Sequence, residues 1–302
     1  MSHILDHVNF ESIQPYIHKG YDSNNFSNLV FVFDNMMLSN LAFSARTNPQ
    51  EFNLLLDAMS LKEGIILIPE IIMDESAGNR DMTPERYREY YEPLFKALSQ
   101  YTDIFVVPFE TCFEIIKEGA VDSNEAFAQF QLIAKQWNKT NMEIQLKIEA
   151  STDVEGIKSA LISDSKDAGE RVIHLLSSAL LIDGVPKVRL YSNEKRGVFN
   201  IHYICSLDET LREILRFNTQ KAFLNCYELE SIDCILAKVI QLQKGNWTRE
   251  EHFSFLERHR VKRMKMRDVH YYMPPNFSDK RHLNNDEFVD LILLNDEVTI
   301  TF

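Results

Sequence analysis

Short unbroken apolar runs, most of them closed by an acid, a proline or a polar turn, alternate along the first two thirds of the chain with stretches whose apolar residues recur at helical spacing. LVFVFD occupies 29–34, IILIP follows Gly64, DIFVVPF spans 103–109, VRLYS spans 188–192 and VFNIHYI spans 198–204. Runs of this length without apolar and polar alternation suit strands covered on both faces of a parallel sheet. Strands of this kind separated by helices predict βαβ units, and hence an α/β fold with a central parallel sheet flanked by helices.

Helix signals fall between the runs. Thr83 followed by Pro84 is a cap with proline at the first helical position. Asp122 with Glu125, Thr152 with Glu155, Ser206 with Glu209 and Thr248 with Glu251 have capping-box spacing. Gly184 and Pro186 close a strongly apolar helix that begins near Asp167. The pattern divides the chain into a lead-in segment at 1–28, an α/β domain at 29–204 with a helical insertion at about 122–162, and a mainly helical C-terminal region at 205–302. No internal repeat is present, which excludes a solenoid.

Composition narrows the classes. No apolar run approaches the roughly 20 residues a membrane helix needs, so the expectation is a soluble, cytoplasmic chain without membrane contact. Cys112, Cys205, Cys226 and Cys234 form no CxxC pair, which reads as buried, reduced thiols. The formal charge of -13 argues against nonspecific coating of nucleic acid but leaves room for a local basic patch. HExxH, GxGxxG, P-loop and GxSxG patterns are all absent.

Acids at the ends of the runs are the strongest chemical signal. Asp34 follows the first run directly, and alone it would read as a helix N-cap. Glu75 lies in the helix after the second run, Glu170 starts the helix that feeds the fourth, and Glu194 follows the fourth. Carboxylates at the carboxyl ends of parallel strands converge on the crevice where open α/β sheets bind ligands. Clustered anions repel one another unless a cation neutralises them, and hard oxygen donors select Mg²⁺ or Mn²⁺.

This order resembles the PIN-domain nucleases over residues 29–204. FVFDNMMLS matches the motif of the first acid with Asp34; Pro69, Ile72 and Glu75 match the second; Asp167-Ala168-Gly169-Glu170 has the D-x-G-E form of the third; Ser192, Asn193 and Glu194 match the fourth. Asn35 and Met36 depart from the family's Thr or Ser and then Asn, and Glu194 stands where Asp is commoner. The resemblance implies a metal-dependent endoribonuclease with Asp34, Glu75, Glu170 and Glu194 as catalytic acids. Mg²⁺ or Mn²⁺ would be held by Asp34, Glu170 and Glu194, with Asp167 as the alternative third ligand. RNA is the implied substrate, and an inhibitory or complex-forming protein partner is in keeping with small members of the family. The alternatives are a catalytically inactive PIN-like binding or scaffold subunit and a flavodoxin-like small-molecule binder.

A second signal is the segment 258–267, RHRVKRMKMR, with six Lys or Arg in ten residues. Arg258, Arg260, Lys262, Arg263, Lys265 and Arg267 are candidate nucleic-acid contacts, with an ion-paired helix face as the alternative. Tyr271 and Tyr272 are candidates for base stacking or for packing. Glu70 and Asp74 read as solvated helix-face acids, and His174 and His202 as buried, hydrogen-bonded residues. Ser192 and Asn193 read as turn formers.

Overall fold

The computed structural model describes residues 11–20, 28–77, 83–163, 168–260, 267–273 and 277–301. Its centre is a parallel sheet. Strands β1 (His18–Lys19), β2 (Leu29–Phe33), β3 (Ile65–Pro69), β4 (Ile104–Val107), β5 (Lys187–Tyr191) and β6 (Tyr227–Glu230) lie in the order β1-β4-β3-β2-β5-β6. Every neighbouring pair is parallel, with Val32 opposite Leu67 and Phe33 opposite Tyr191. All residues of β2, β3 and β4 are buried, as the unbroken apolar runs require of strands covered on both faces. Each fully buried Phe or Leu there contributes on the order of 2 kcal/mol.

The chain moves outward from β2 through β3 to β4, then returns to the other side of β2 with β5 and β6. Without the two-residue β1, the order is 3-2-1-4-5, which differs from the flavodoxin order 2-1-3-4-5. The topology of the flavodoxin-like alternative is thereby corrected. Gly64 permits the entry to β3, because a Cβ there would lie 2.1 Å from the carbonyl oxygen of Leu29.

Helix Asn35–Thr47 leaves β2, helix Glu70–Ala77 leaves β3, and helix Ala168–Ile182 leads into β5. The last is buried on nearly every side, and its buried polar residues bond inside the protein: Arg171 to the carbonyl of Leu161, His174 to the Tyr227 hydroxyl, Ser177 and Ser178 to carbonyls one turn back. The insertion is three helices, Ser123–Trp137, Met142–Ala150 and Val154–Ile162. Asp122 caps the first as expected, but Asp153 rather than Thr152 caps the third, and Asp208 rather than Ser206 caps Glu209–Ile214. A carboxylate one or two residues nearer the helix took the role in both cases.

Two elements differ from expectation. The stretch 198–204 is helical, a π turn at Lys195–Phe199 running into helix Asn200–Ser206. Its buried residues are Val198, Phe199, His202, Cys205 and Ser206, a helical period, while Tyr203 is exposed. The run reads as a strand because Tyr203 counts as one of its apolar members, and Tyr203 faces solvent. The region after 205 is mainly helical, yet β6 adds a strand to the parallel sheet, and β7 (Arg267–Met273), β8 (Phe277–Leu283) and β9 (Thr299–Ile300) form an antiparallel sheet ordered β8-β7-β9. Residue 205 is therefore no boundary of the parallel sheet, which takes a strand from either side of it. The lead-in segment likewise supplies the edge strand β1.

His174 and His202 are buried as expected, stacked with Trp137 at ring-centroid distances of 4.3 and 6.4 Å and edge-on to Tyr227 at 5.9 and 4.6 Å. All four cysteines are unbridged, three of them buried. Among the described residues no helix is long and apolar enough to cross a membrane.

Candidate functional site

Strand order reverses direction at β2 and β5, and the carboxyl ends of this pair are where doubly wound sheets bind ligands. Asp34 extends the pairing one residue beyond β2, its N–H donating to the carbonyl of Tyr191 at 3.1 Å. The extended backbone of Asp34 then turns into the helix, and its side chain caps it: Oδ1 accepts from the Met37 N–H at 2.5 Å. Oδ2 accepts from the Ser192 hydroxyl. Asp34 is only 4 % exposed. Burial, opposed in part by these donors and reinforced by the neighbouring charge of Glu194, pushes its carboxyl from the ordinary 3.8 up to about 7.

Ser192 and Asn193 form the turn after β5, as their residue types imply. The Ser192 hydroxyl accepts from the Glu194 N–H at 3.0 Å, and Asn193 Oδ1 accepts from the Ile232 N–H at 2.9 Å at the start of helix Ile232–Leu242. The fourth acid is therefore placed beside the first by a serine that bonds to both residues.

Glu75 and Glu170 meet at the helix packing. Glu75 Oε1 accepts from the Gly169 N–H at 2.9 Å, so the second acid holds the first turn of the helix that carries the third. A Cβ at Gly169 would stand 2.7 Å from Glu75 Oε2, and one at Gly197 would stand 2.0 Å from Glu170 Oε2. Two glycines thus admit two carboxylates, and the second brings Glu170 against the π turn that follows Glu194. Glu75, Glu170 and Glu194 are half-buried.

The contacts run from Glu75 to the Glu170 helix, from Glu170 to the turn after Glu194, and from Glu194 to Asp34, all at one end of the sheet. Among the described residues no group of three or more His, Cys, Asp or Glu side chains is gathered at metal-ligating distances. The donor chemistry, all carboxylate oxygen, fits a hard divalent ion. Asp167, the alternative third ligand, lies outside the described residues.

The basic segment has a different role where it is described. Arg258 makes a two-pronged pair with Glu51 at 2.8 and 2.6 Å, and His259 joins the same carboxylate at 3.0 Å. Arg260 is 1 % exposed; it bonds to Asp233 at 3.2 Å and Asn285 at 2.8 Å and lies over the Phe288 ring. Arg260 ties helices Ile232–Leu242 and Asn285–Leu293 together from a buried position, which corrects its assignment as a nucleic-acid contact, while Arg258 joins its helix to Pro49–Met59 through an ion pair that stays partly exposed. Lys262, Arg263 and Lys265 lie outside the described residues, and Arg267 begins β7. Tyr271 is buried with its hydroxyl on Asp279, a packing role, whereas Tyr272 is exposed.

Glu70 also departs from its expected solvated position. It is 6 % exposed, 3.6 Å from the Lys158 ammonium, and accepts from the Phe109 N–H at 3.5 Å. Lys158 lies on the insertion, so no local pattern around Glu70 announces the pairing. Gly197 was missed for a similar reason: its importance is a close approach made only after folding.

No family model matches the chain, and no curated protein or solved structure is significantly similar to it.

Proposed function

We propose that the chain is a PIN-like, metal-dependent endoribonuclease of the cytoplasm, acting at the carboxyl ends of β2 and β5. The observation that supports this most is Asp34, a carboxyl buried at the point where strand order reverses and pushed to about 7 beside a second acid. Mg²⁺ or Mn²⁺, if held by Asp34, Glu170 and Glu194 with Asp167 in reserve, supplies Lewis acidity and activated water for attack on a phosphodiester. The protein's part is positioning. Ser192 fixes Asp34 and the backbone of Glu194 together, and Glu75 anchors the helix turn that presents Glu170. RNA is the substrate, and a restraining protein partner fits a site of this kind.

One observation favours a second reading, the inactive binding or scaffold subunit. Both oxygens of Asp34 already accept bonds within the protein, as a purely structural cap would. Calorimetric titration with Mn²⁺ and cleavage of labelled RNA separate the two readings. The nuclease reading expects divalent binding, cleavage, and a loss of about a hundredfold or more in Asp34→Asn and Glu194→Gln. Equal cleavage before and after Asp34→Asn refutes the mechanism, and a protein that neither binds metal nor cuts nucleic acid takes the scaffold reading.

A further inference from the structure

Beside the carboxylate site lies a cavity of about 380 Å³, walled by Ile71, Phe109, Ile162 and Val172. It shares two helices with the site. Ile71 is on the helix of Glu75, and Val172 is three residues from Gly169, a rise of about 4.5 Å along the helix. Its third wall is the last helix of the insertion, the part of the chain that exceeds a minimal α/β domain.

The polar groups are unequal in depth. Lys158 is 9 % exposed; it donates to Glu110 at 2.8 Å and sits 3.6 Å from Glu70. Two carboxylates therefore engage an ammonium that has three donors. Asp74, half-buried, and Glu155, exposed, line the same cavity. Aliphatic walls with one aromatic ring suit a flat heterocycle, and two acids beside them repel a phosphate. A base rather than its backbone belongs inside.

We propose that this cavity receives a guanine base of single-stranded RNA, with a neighbouring phosphate directed to the carboxylate site. Guanine alone among the four bases offers one carboxylate two adjacent donors, N1–H and the N2 amino group. Adenine and cytosine each present a single amino group next to acceptors, and uracil presents one N–H between two carbonyls. Asp74 or Glu155 accepts the paired donors, and Lys158 donates to O6 or N7. The insertion then serves as a base-selecting wall. The position of the phosphate rests on the ribonuclease reading; the binding of the base does not.

The test is fluorescence anisotropy in EDTA with end-labelled pentaribonucleotides that carry uridine at every position except a central guanosine, inosine or adenosine. Guanosine should bind at least about tenfold tighter than inosine, which lacks the N2 donors. Asp74→Asn combined with Glu155→Gln should bring the ratio close to one while circular dichroism shows an intact fold. Equal binding of the three oligonucleotides, no binding of any, or a guanosine preference that survives the double variant overturns the proposal. So does displacement of the guanosine oligonucleotide by a short arginine peptide at lower concentration than by unlabelled RNA, which would mark a protein-binding pocket. Since chelator is present throughout, a failure of metal binding or cleavage leaves this result standing, and the two readings fail separately.

Discussion

The hydroxyl of Ser192 donates to Asp34 across the junction of β5 and β2, and the same hydroxyl accepts the backbone N–H of Glu194. One serine therefore ties the acid after β2 to the acid after β5. Asp34 is at once a helix cap, the partner of Ser192 at the strand ends and the most deeply buried carboxyl of the site.

Asp34→Asn should raise stability at pH 8 by about 1–2 kcal/mol and give no gain at pH 4. The sign comes from linkage. A carboxyl raised from 3.8 to about 7 favours the folded state when protonated, so its penalty grows as pH rises through that window and is constant above it. The full shift would amount to about 4 kcal/mol, and replacing a carboxylate acceptor by an amide offsets part of it. Urea denaturation of both proteins at the two pH values is the measurement. An equal difference at pH 4 and pH 8 would show that the carboxyl titrates normally.

Gly197→Ala and Gly64→Ala should separate function from stability. At Gly197 the obstructing atoms are the end of the Glu170 side chain, which can swing aside, so the melting temperature should hold while divalent binding weakens. At Gly64 the obstruction is the Leu29 backbone at 2.1 Å, and the strand pair must shift. A cost of about 3 kcal/mol or more is expected, in the range of severe core disruption. Thermal melts and Mn²⁺ titration of both variants check the contrast.

Arg260→Ala should unfold or severely weaken the C-terminal region, by about 3–5 kcal/mol, because it strands Asp233 without its buried partner. Arg258→Ala breaks a half-exposed pair and should cost at most about 1 kcal/mol. Any RNA contact of the basic segment is instead tested with Lys262→Ala, Arg263→Ala and Lys265→Ala together. Loss of three phosphate contacts should lower the salt dependence of binding by about 2 in slope, and an unchanged slope would remove the segment from RNA recognition.

Acid should destabilise the core through His174 and His202. Burial holds His174 well below its usual range, with His202 adding to the effect, and lowers His202 to about 3. Their neutral forms are the folded ones, so this stability is complete above about pH 6.5 and is lost as pH falls toward 3. His202→Phe should flatten the acid limb by up to about 1.4 kcal/mol per pH unit, followed by Trp137 emission. An unchanged acid limb would show that other groups carry it.

Strands β2, β3 and β4 are legible because every residue of theirs is buried, so hydropathy alone marks them. Strand β6 escapes that rule: Glu228 and Glu230 are tolerated because Lys187, Arg189 and Lys238 pair with them from outside the strand. Helix Asn200–Ser206 escapes it because a histidine is buried and a tyrosine is exposed. In the site, the four acids can be named from strand ends, and Asp34 as a cap from its position. The bond between Ser192 and Asp34 spans 158 residues, and the approach of Glu170 to Gly197 depends on helix packing, so neither is written in any local pattern.

That separation of 158 residues also sets a schedule for synthesis. At about 5–20 residues per second, Asp34 is polymerised roughly 8–30 seconds before Ser192, and β6 is made later still. Until then β2 has no neighbour on one side, and Asp34 has neither its serine nor the charge of Glu194 beside it. The nascent chain carries an ordinary surface acid in place of the perturbed one, and the site comes into existence only as the last parallel strands leave the ribosome.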